Sequence, residues 1–247
     1  MKKLVLILFL LPFIFACKKA AKRTCWKGSG ETSDTIICVQ DFSKLVLNEN
    51  ITYELIQDSL NKIEIIGGEN LLPFITVDQQ ADGTLTITNE NKCNFFRYEA
   101  AKVKVRIHFK NLSYLTYKGT EDLTSSDTLN LSDFQFFMVD GGGSIHLKLN
   151  VSNSLLGYVS HGAGDFYLEG NAKKATFNIM TQGSCDTRKL NISNELSIVS
   201  NANSPCYINA DNSILKAEIT GQGNIYYQGN PLSLLFNQIG AGNLIQL

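Results

Sequence analysis

Acidic residues, arginine, histidine and cysteine are the groups in this 247-residue chain that could do chemistry, and spacing decides which chemistry. Asp140, Asp165 and Asp186 recur at nearby phases of a repeating pattern, with Arg188 beside the last. Stacked on one face they would form an acidic stripe of the kind polysaccharide-cleaving β-helices use. Glycoside hydrolysis needs two outward carboxylates about 5 to 9.5 Å apart. Aspartate in glycine-rich turns more commonly holds the turn, so no catalytic residue is assigned. Gly162-Ala163-Gly164 and Gly221-Gln222-Gly223 open like dinucleotide fingerprints. Their next glycines, Gly170 and Gly229, come too late, and no helix pattern follows to receive a phosphate. His108, His146 and His161 are remote in sequence from the cysteines, and there is no CxxC. No metal site or cofactor is expected.

The cysteines divide by compartment. Met1-Lys2-Lys3 is a positive start, and Leu4 to Phe15 is an apolar run broken only by Pro12. A membrane span needs about 20 residues, so the run reads as a signal-peptide core. Ile14-Phe15-Ala16-Cys17 resembles the bacterial lipobox, with Cys17 as the lipidated residue. Residues 1–16 are therefore expected to be removed, and residues 17–40 to form a lipidated flexible tether. Cys17 is followed by Lys18-Lys19 rather than an acidic cluster. This favours the periplasmic face of the outer membrane, with the cell surface as the alternative. Exported proteins sit where disulfides form, and removing Cys17 leaves Cys25, Cys38, Cys93, Cys185 and Cys206.

The elements that must position these groups come from a repeat. Small-x-small segments recur with third positions at Gly119, Gly143, Gly164, Gly183, Asn203, Gly223 and Gly242, at spacings of 24, 21, 19, 20, 20 and 19. Short β-type runs lie between them, such as Ile145-His146-Leu147-Lys148-Leu149. Two architectures fit: an antiparallel sandwich, or a parallel β-helix with one coil per period. The β-helix explains why glycine returns at one phase, because every coil repeats the same corner. The expected reason is positive φ, with Asn201 and Asn203 as the substitutes that tolerate it. On this reading Cys185 and Cys206 stack on neighbouring coils and bridge; two buried thiols are the alternative. Cys25 is expected to pair with Cys93 or Cys38.

Residues 42–117 read as strands without the glycine period, supplying the end cap a solenoid needs. Lys102, Lys104, Arg106 and His108 share one face of a strictly alternating strand, either an anionic-ligand surface or a solvated face. No Pro/Ser-rich linker separates the halves, so residues 41–247 are expected to form one domain. Hydrophobic content is 44% and formal net charge −1, which argues against disorder and against nucleic acid as a partner.

Together these features resemble the auto-transporter adhesin head GIN domain (DUF2807) family found in lipoproteins of Bacteroidetes-type bacteria. The carrying segments are Phe42 to Leu47, Gly68 to Pro73, Asp82 to Ile87, Asn89 to Phe95 and Gly223 to Pro231. The resemblance implies a right-handed β-helical fold and no agreed enzyme activity. The expectation is a lipid-anchored scaffold for binding a glycan or an envelope protein, with a purely structural component or a polysaccharide-active enzyme as alternatives. Outward aromatics, from among Tyr158, Phe166, Tyr167, Tyr207, Tyr226 and Tyr227, would support binding. Three tripeptides centred on Thr35, Ser59 and Thr128 are also similar to an O-glycosylation signal of such bacteria.

Overall fold

Alternation along the chain becomes alternation across a wall. A computed structural model describes residues 28–91 and 102–247. The expected signal peptide, Cys17, Cys25 and Cys93 lie outside the described residues. In the regular half the strands are β10 (Leu129–Met138), β11 (Ser144–Val159), β12 (Asp165–Thr181) and β13 (Ser184–Ala202), then β14 (Cys206–Asn209), β15 (Ile214–Ile219), β16 (Ile225–Gln228), β17 (Ser233–Gln238) and β18 (Leu244–Gln246). Every consecutive coil pairs in parallel. One inward column reads Ile145, Phe166, Cys185, Cys206, Ile225, Leu244. Neighbours in it are a coil apart in sequence but about 4.8 Å apart in space. This is the solenoid, and the sandwich is excluded.

Burial follows the period-2 rule. In β11 the side chains of Ile145, Leu147, Leu149 and Val151 are buried, while His146, Lys148 and Asn150 are exposed. The long strands bend where their register slips, between Val151 and Ser154 in β11, so each coil wraps a narrow core. That core is filled large against small. Phe136, Gly157 and Phe177 are register neighbours. A side chain at Gly157 would overlap the Phe136 ring and come within 2.9 Å of Phe177. Phe166 then packs against Phe136 and Phe177 at centroid distances of 5.1 and 5.2 Å.

The first half is wound out of chain order. Its strands are β1 (Thr32–Cys38), β2 (Lys44–Leu47), β3 (Thr52–Gln57), β4 (Lys62–Gly68), β5 (Ile75–Gln79), β6 (Thr84–Asn89), β7 (Lys104–Phe109), β8 (Tyr114–Tyr117) and β9 (Leu123–Ser125). On one wall β2 lies between β6 and β8; on the other β3 lies between β7 and β9. The coil laid first in sequence is thus sandwiched between two later ones. Beyond it β4 runs antiparallel on β7, β1 antiparallel on β4, and β5 antiparallel on β6. These strands close the N-terminal end, where a bare edge would otherwise recruit other chains. The expected tether is therefore too long: Thr32–Cys38 is a full strand, registered from Thr32 opposite Gly68 to Cys38 opposite Lys62.

The repeat glycines also need a different reason. Positive φ occurs at Gly162, Gly170 and Gly229 and at the non-glycine residues Asn50, Asp140, Thr181 and Asn212. Gly143, Gly164, Gly183, Gly223 and Gly242 are not among them, nor are Asn201 and Asn203. What the five share is burial and a neighbour too near for a side chain. A Cβ would overlap the Glu121 carbonyl at Gly143, the Ser204 carbonyl at Gly223 and the Gly223 carbonyl at Gly242. At Gly164 and Gly183 it would press on Met138 Cε and Val159 Cγ1, each at 2.7 Å. The corner recurs because a neighbouring coil's backbone or a core side chain fills the space a Cβ would take.

Candidate functional site

An outward column on one flank carries the candidate site. Thr124, His146, Tyr167, Asp186, Tyr207 and Tyr226 occupy equivalent positions on successive coils. His146 and Tyr167 stack with centroids 4.5 Å apart and planes within 3°. Tyr207 and Tyr226 stack at 5.1 Å and 14°. Asp186 breaks the column between the two stacks, and Arg188 repairs it. Between β12 and β13 the register slips, so that Tyr167 to Glu169 faces the longer span Asp186 to Lys189. Such a bulge re-aims a side chain. The Arg188 guanidinium lies 4.8 Å from the centroid of Tyr207, forming a planar cationic rung.

Asp186 fixes that rung. Arg188 donates through Nε to Asp186 Oδ1 at 3.0 Å and through Nη2 to Oδ2 at 2.6 Å, and the Arg188 backbone N–H adds a bond to Oδ1 at 3.1 Å. Hydrogen bonding from Arg188 holds the Asp186 carboxyl below its usual range and pushes the guanidinium higher. Burial, then the charges of Asp165 and Asp186, push the Tyr167 hydroxyl up. Gln228 donates to the Arg188 carbonyl at 2.9 Å. Beside this column Lys148 pairs with Glu169 at 3.7 Å, and Lys189 is exposed. The resulting groove has a volume of about 660 Å³. Its walls mix aromatic rings, both charge signs and the Gln228 amide, over a floor that includes Leu147 and Leu168. It can stack on planar or ring-shaped groups and exchange hydrogen bonds with hydroxyls.

The other expected site residues disperse. Cys185 and Cys206 face each other in register as buried free thiols. Burial keeps the Cys185 thiol protonated, while Cys185 itself supplies a hydrogen bond that lowers Cys206. Cys38 is an exposed free thiol. The acidic stripe does not form. Asp165 shares a rung with Ser184 and accepts from its N–H and hydroxyl at 3.1 and 2.7 Å, whereas Asp186 stands in the aromatic column. Asp140 sits at a positive-φ corner, 4.0 Å from His161 Nδ1.

The basic face of β7 is neutralised by its neighbours. Glu54 of β3 pairs with Lys104 at 2.7 Å and Arg106 at 3.0 Å, and Asp58 meets His108 Nδ1 at 3.0 Å. Burial alone would raise Glu54, but hydrogen bonds from Lys104, Ser126 and Arg106 bring it down to about 2. Of the aromatics, Phe166 and Tyr227 are core residues, and Tyr158 belongs to the opposite wall beside Phe137. Thr35, Ser59 and Thr128 are exposed. His146 and Gln228 were not expected in a site, and Arg188 was named only beside Asp186. His146 enters the column by register and Arg188 by the bulge, while Gln228, in register with Asn209, lies beside it; no local motif announces this.

Solved structures share this fold. The chain is similar to an adhesin, itself named putative, from Bacteroides fragilis NCTC 9343, at 22% identity and TM-score 0.76, covering 88% of this chain and 97% of that one. It is also similar to a putative lipid binding protein from Parabacteroides distasonis ATCC 8503, at 20% identity and TM-score 0.63, with 89% and 98% covered. A putative adhesin from Parabacteroides merdae ATCC 43184 matches at 24% identity and TM-score 0.53, with 89% and 98% covered. Identities this low speak to the fold. No curated protein sequence matches significantly. The family model described as putative auto-transporter adhesin, head GIN domain, matches residues 41–231, and the chain belongs to that family.

Proposed function

We propose that this is an exported envelope protein, held by lipid on Cys17, whose solenoid flank binds a glycan. The observation that carries the reading is the column His146, Tyr167, Arg188, Tyr207, Tyr226, with Asp186 locking the cationic rung. Sugars are recognised by ring faces together with charged and amide hydrogen-bonding groups, and this groove offers both. The family's description as an adhesin supports an envelope or surface location. The lipobox-like Ile14-Phe15-Ala16-Cys17 supports the anchor.

The test is a glycan array probed with the parent chain and with Tyr167→Ala. Retention of a subset of glycans by the parent, lost in the variant at unchanged melting temperature, is the expected result. No retention on a broad array, or retention indifferent to Tyr167, would sink the glycan reading. The anchor is checked separately: Cys17→Ser should leave the chain without a lipid-sized mass increment.

A further inference from the structure

The last coil is built differently from the others. Glu218 is the final charged residue; Ile219 through Leu247 contains no Asp, Glu, Lys or Arg, although such residues make up 18% of the chain. Among the described residues β17 and β18 are the outer strands of this end, each paired on one side only, to β15 and β16. Leu234 and Phe236 continue the inward column of Leu215 and Ala217. Those two are buried, whereas Leu234 is 43% and Phe236 41% exposed. Leu235, in register with outward Lys216, is 60% exposed. The N-terminal end is closed by antiparallel strands, and edges are ordinarily blunted by charge or proline. The only proline here, Pro231, lies before β17 rather than on it.

We infer that this coil is an interface, and that its occupant is a second copy of the chain docked tail to tail. Whatever covers it must offer a β-edge to hydrogen-bond β17 and an apolar interior of the same cross-section. The same coil of another copy offers both. A two-fold contact places each residue against its own surroundings, so a charged side chain on the coil would face its like; the absence of charged side chains from Ile219 to Leu247 removes that penalty. The sequence also narrows the register. Antiparallel partners must face the same side, so the axis passes through a residue. Centred on Leu235, it sets Leu234 of each copy against Phe236 of the other inside, and Leu235 against Leu235 outside. Centred on Phe236, it would bury Gln238 against Leu234. The first register matches apolar with apolar. Both N-terminal ends then lie outermost, a geometry that can join two facing surfaces.

The experiment is sedimentation velocity of the full chain over a concentration series, as parent and as Leu235→Lys. Because Leu235 points outward, the variant should fold, with an unchanged circular dichroism spectrum and melting temperature. The parent should dimerise, and Leu235→Lys should raise the dissociation constant about tenfold or more. Under mild oxidation Leu235→Cys should yield a covalent dimer above the parent's background, while Ser152→Cys on the flank should not. A parent that stays monomeric throughout, or a dimer indifferent to Leu235→Lys with no added cross-link at position 235, overturns the proposal. So does Leu235-dependent binding to phosphatidylcholine vesicles by a monomer, which would assign the end to lipid.

Discussion

Cys185 and Cys206 stand opposite one another on adjacent coils, in register and both buried. In-register positions on neighbouring parallel strands lie about 4.8 Å apart, inside the range a disulfide bridges. Oxidative export should therefore join them. The intact mass of material exported under oxidising conditions should be lower by the two thiol hydrogens, and Cys206→Ser should abolish the difference. Closing a loop of about 20 residues should stabilise the fold by roughly 3 kcal/mol. Because burial holds Cys185 protonated, the folded reduced protein should resist alkylation at this position until denaturant is added.

Gly142 and Gly143 are adjacent and should behave oppositely. A side chain at Gly142 meets nothing within 4 Å, whereas one at Gly143 overlaps the Glu121 carbonyl on the coil before. Neither has positive φ. Gly142→Ala should be close to neutral by chemical denaturation, and Gly143→Ala should cost about 1–3 kcal/mol. Equal effects would return the glycine period to a backbone-conformation origin.

Glu54 gives a pH dependence with a definite sign. Its carboxyl titrates near 4.5 when unperturbed and at about 2 in the fold. The folded value is the lower one, so the stabilisation is complete above about pH 4.5 and is lost as pH falls toward about 2. Lys104 and Arg106 are partly exposed, so screening reduces the contribution to about 1–2 kcal/mol. Glu54→Gln should lower the melting temperature at neutral pH, with the gap to the parent closing as pH approaches 2.

Arg188→Lys separates charge from shape in the groove. Lysine keeps the positive charge but has neither the planar face over Tyr207 nor the paired donors to Asp186. Any glycan binding of the parent should weaken about tenfold or more, as for loss of a bidentate charged contact. The melting temperature should barely move, since Arg188 is exposed. Undiminished binding would mean that the rung is structural only.

How much was legible follows the range of the interactions. The solenoid, the stacking of Cys185 on Cys206 and the strand character of the first half can be read from recurrence, because each coil repeats the same inward-outward alternation. Other features escaped because they depend on contacts between coils. The repeat glycines keep their period for lack of room beside Glu121 and Ser204, not for positive φ. The basic face of β7 was open to either an anionic ligand or solvent, and only the tertiary structure shows β3 and β4 laying Glu54 and Glu64 beside it.

By itself the sequence determined the architecture and the phase of every regular coil, since a period near 20 with apolar alternation can bury its apolar face only by stacking on itself. Tertiary structure alone decided the rest. It wound the β2–β3 coil between two later ones, turned Thr32–Cys38 from expected tether into cap, and used one slipped residue to swing Arg188 into the gap left by Asp186. The physical reason is common to all three. Strand pairing joins residues far apart in the chain, and a one-residue change of register exchanges which side chains face the core and which face solvent.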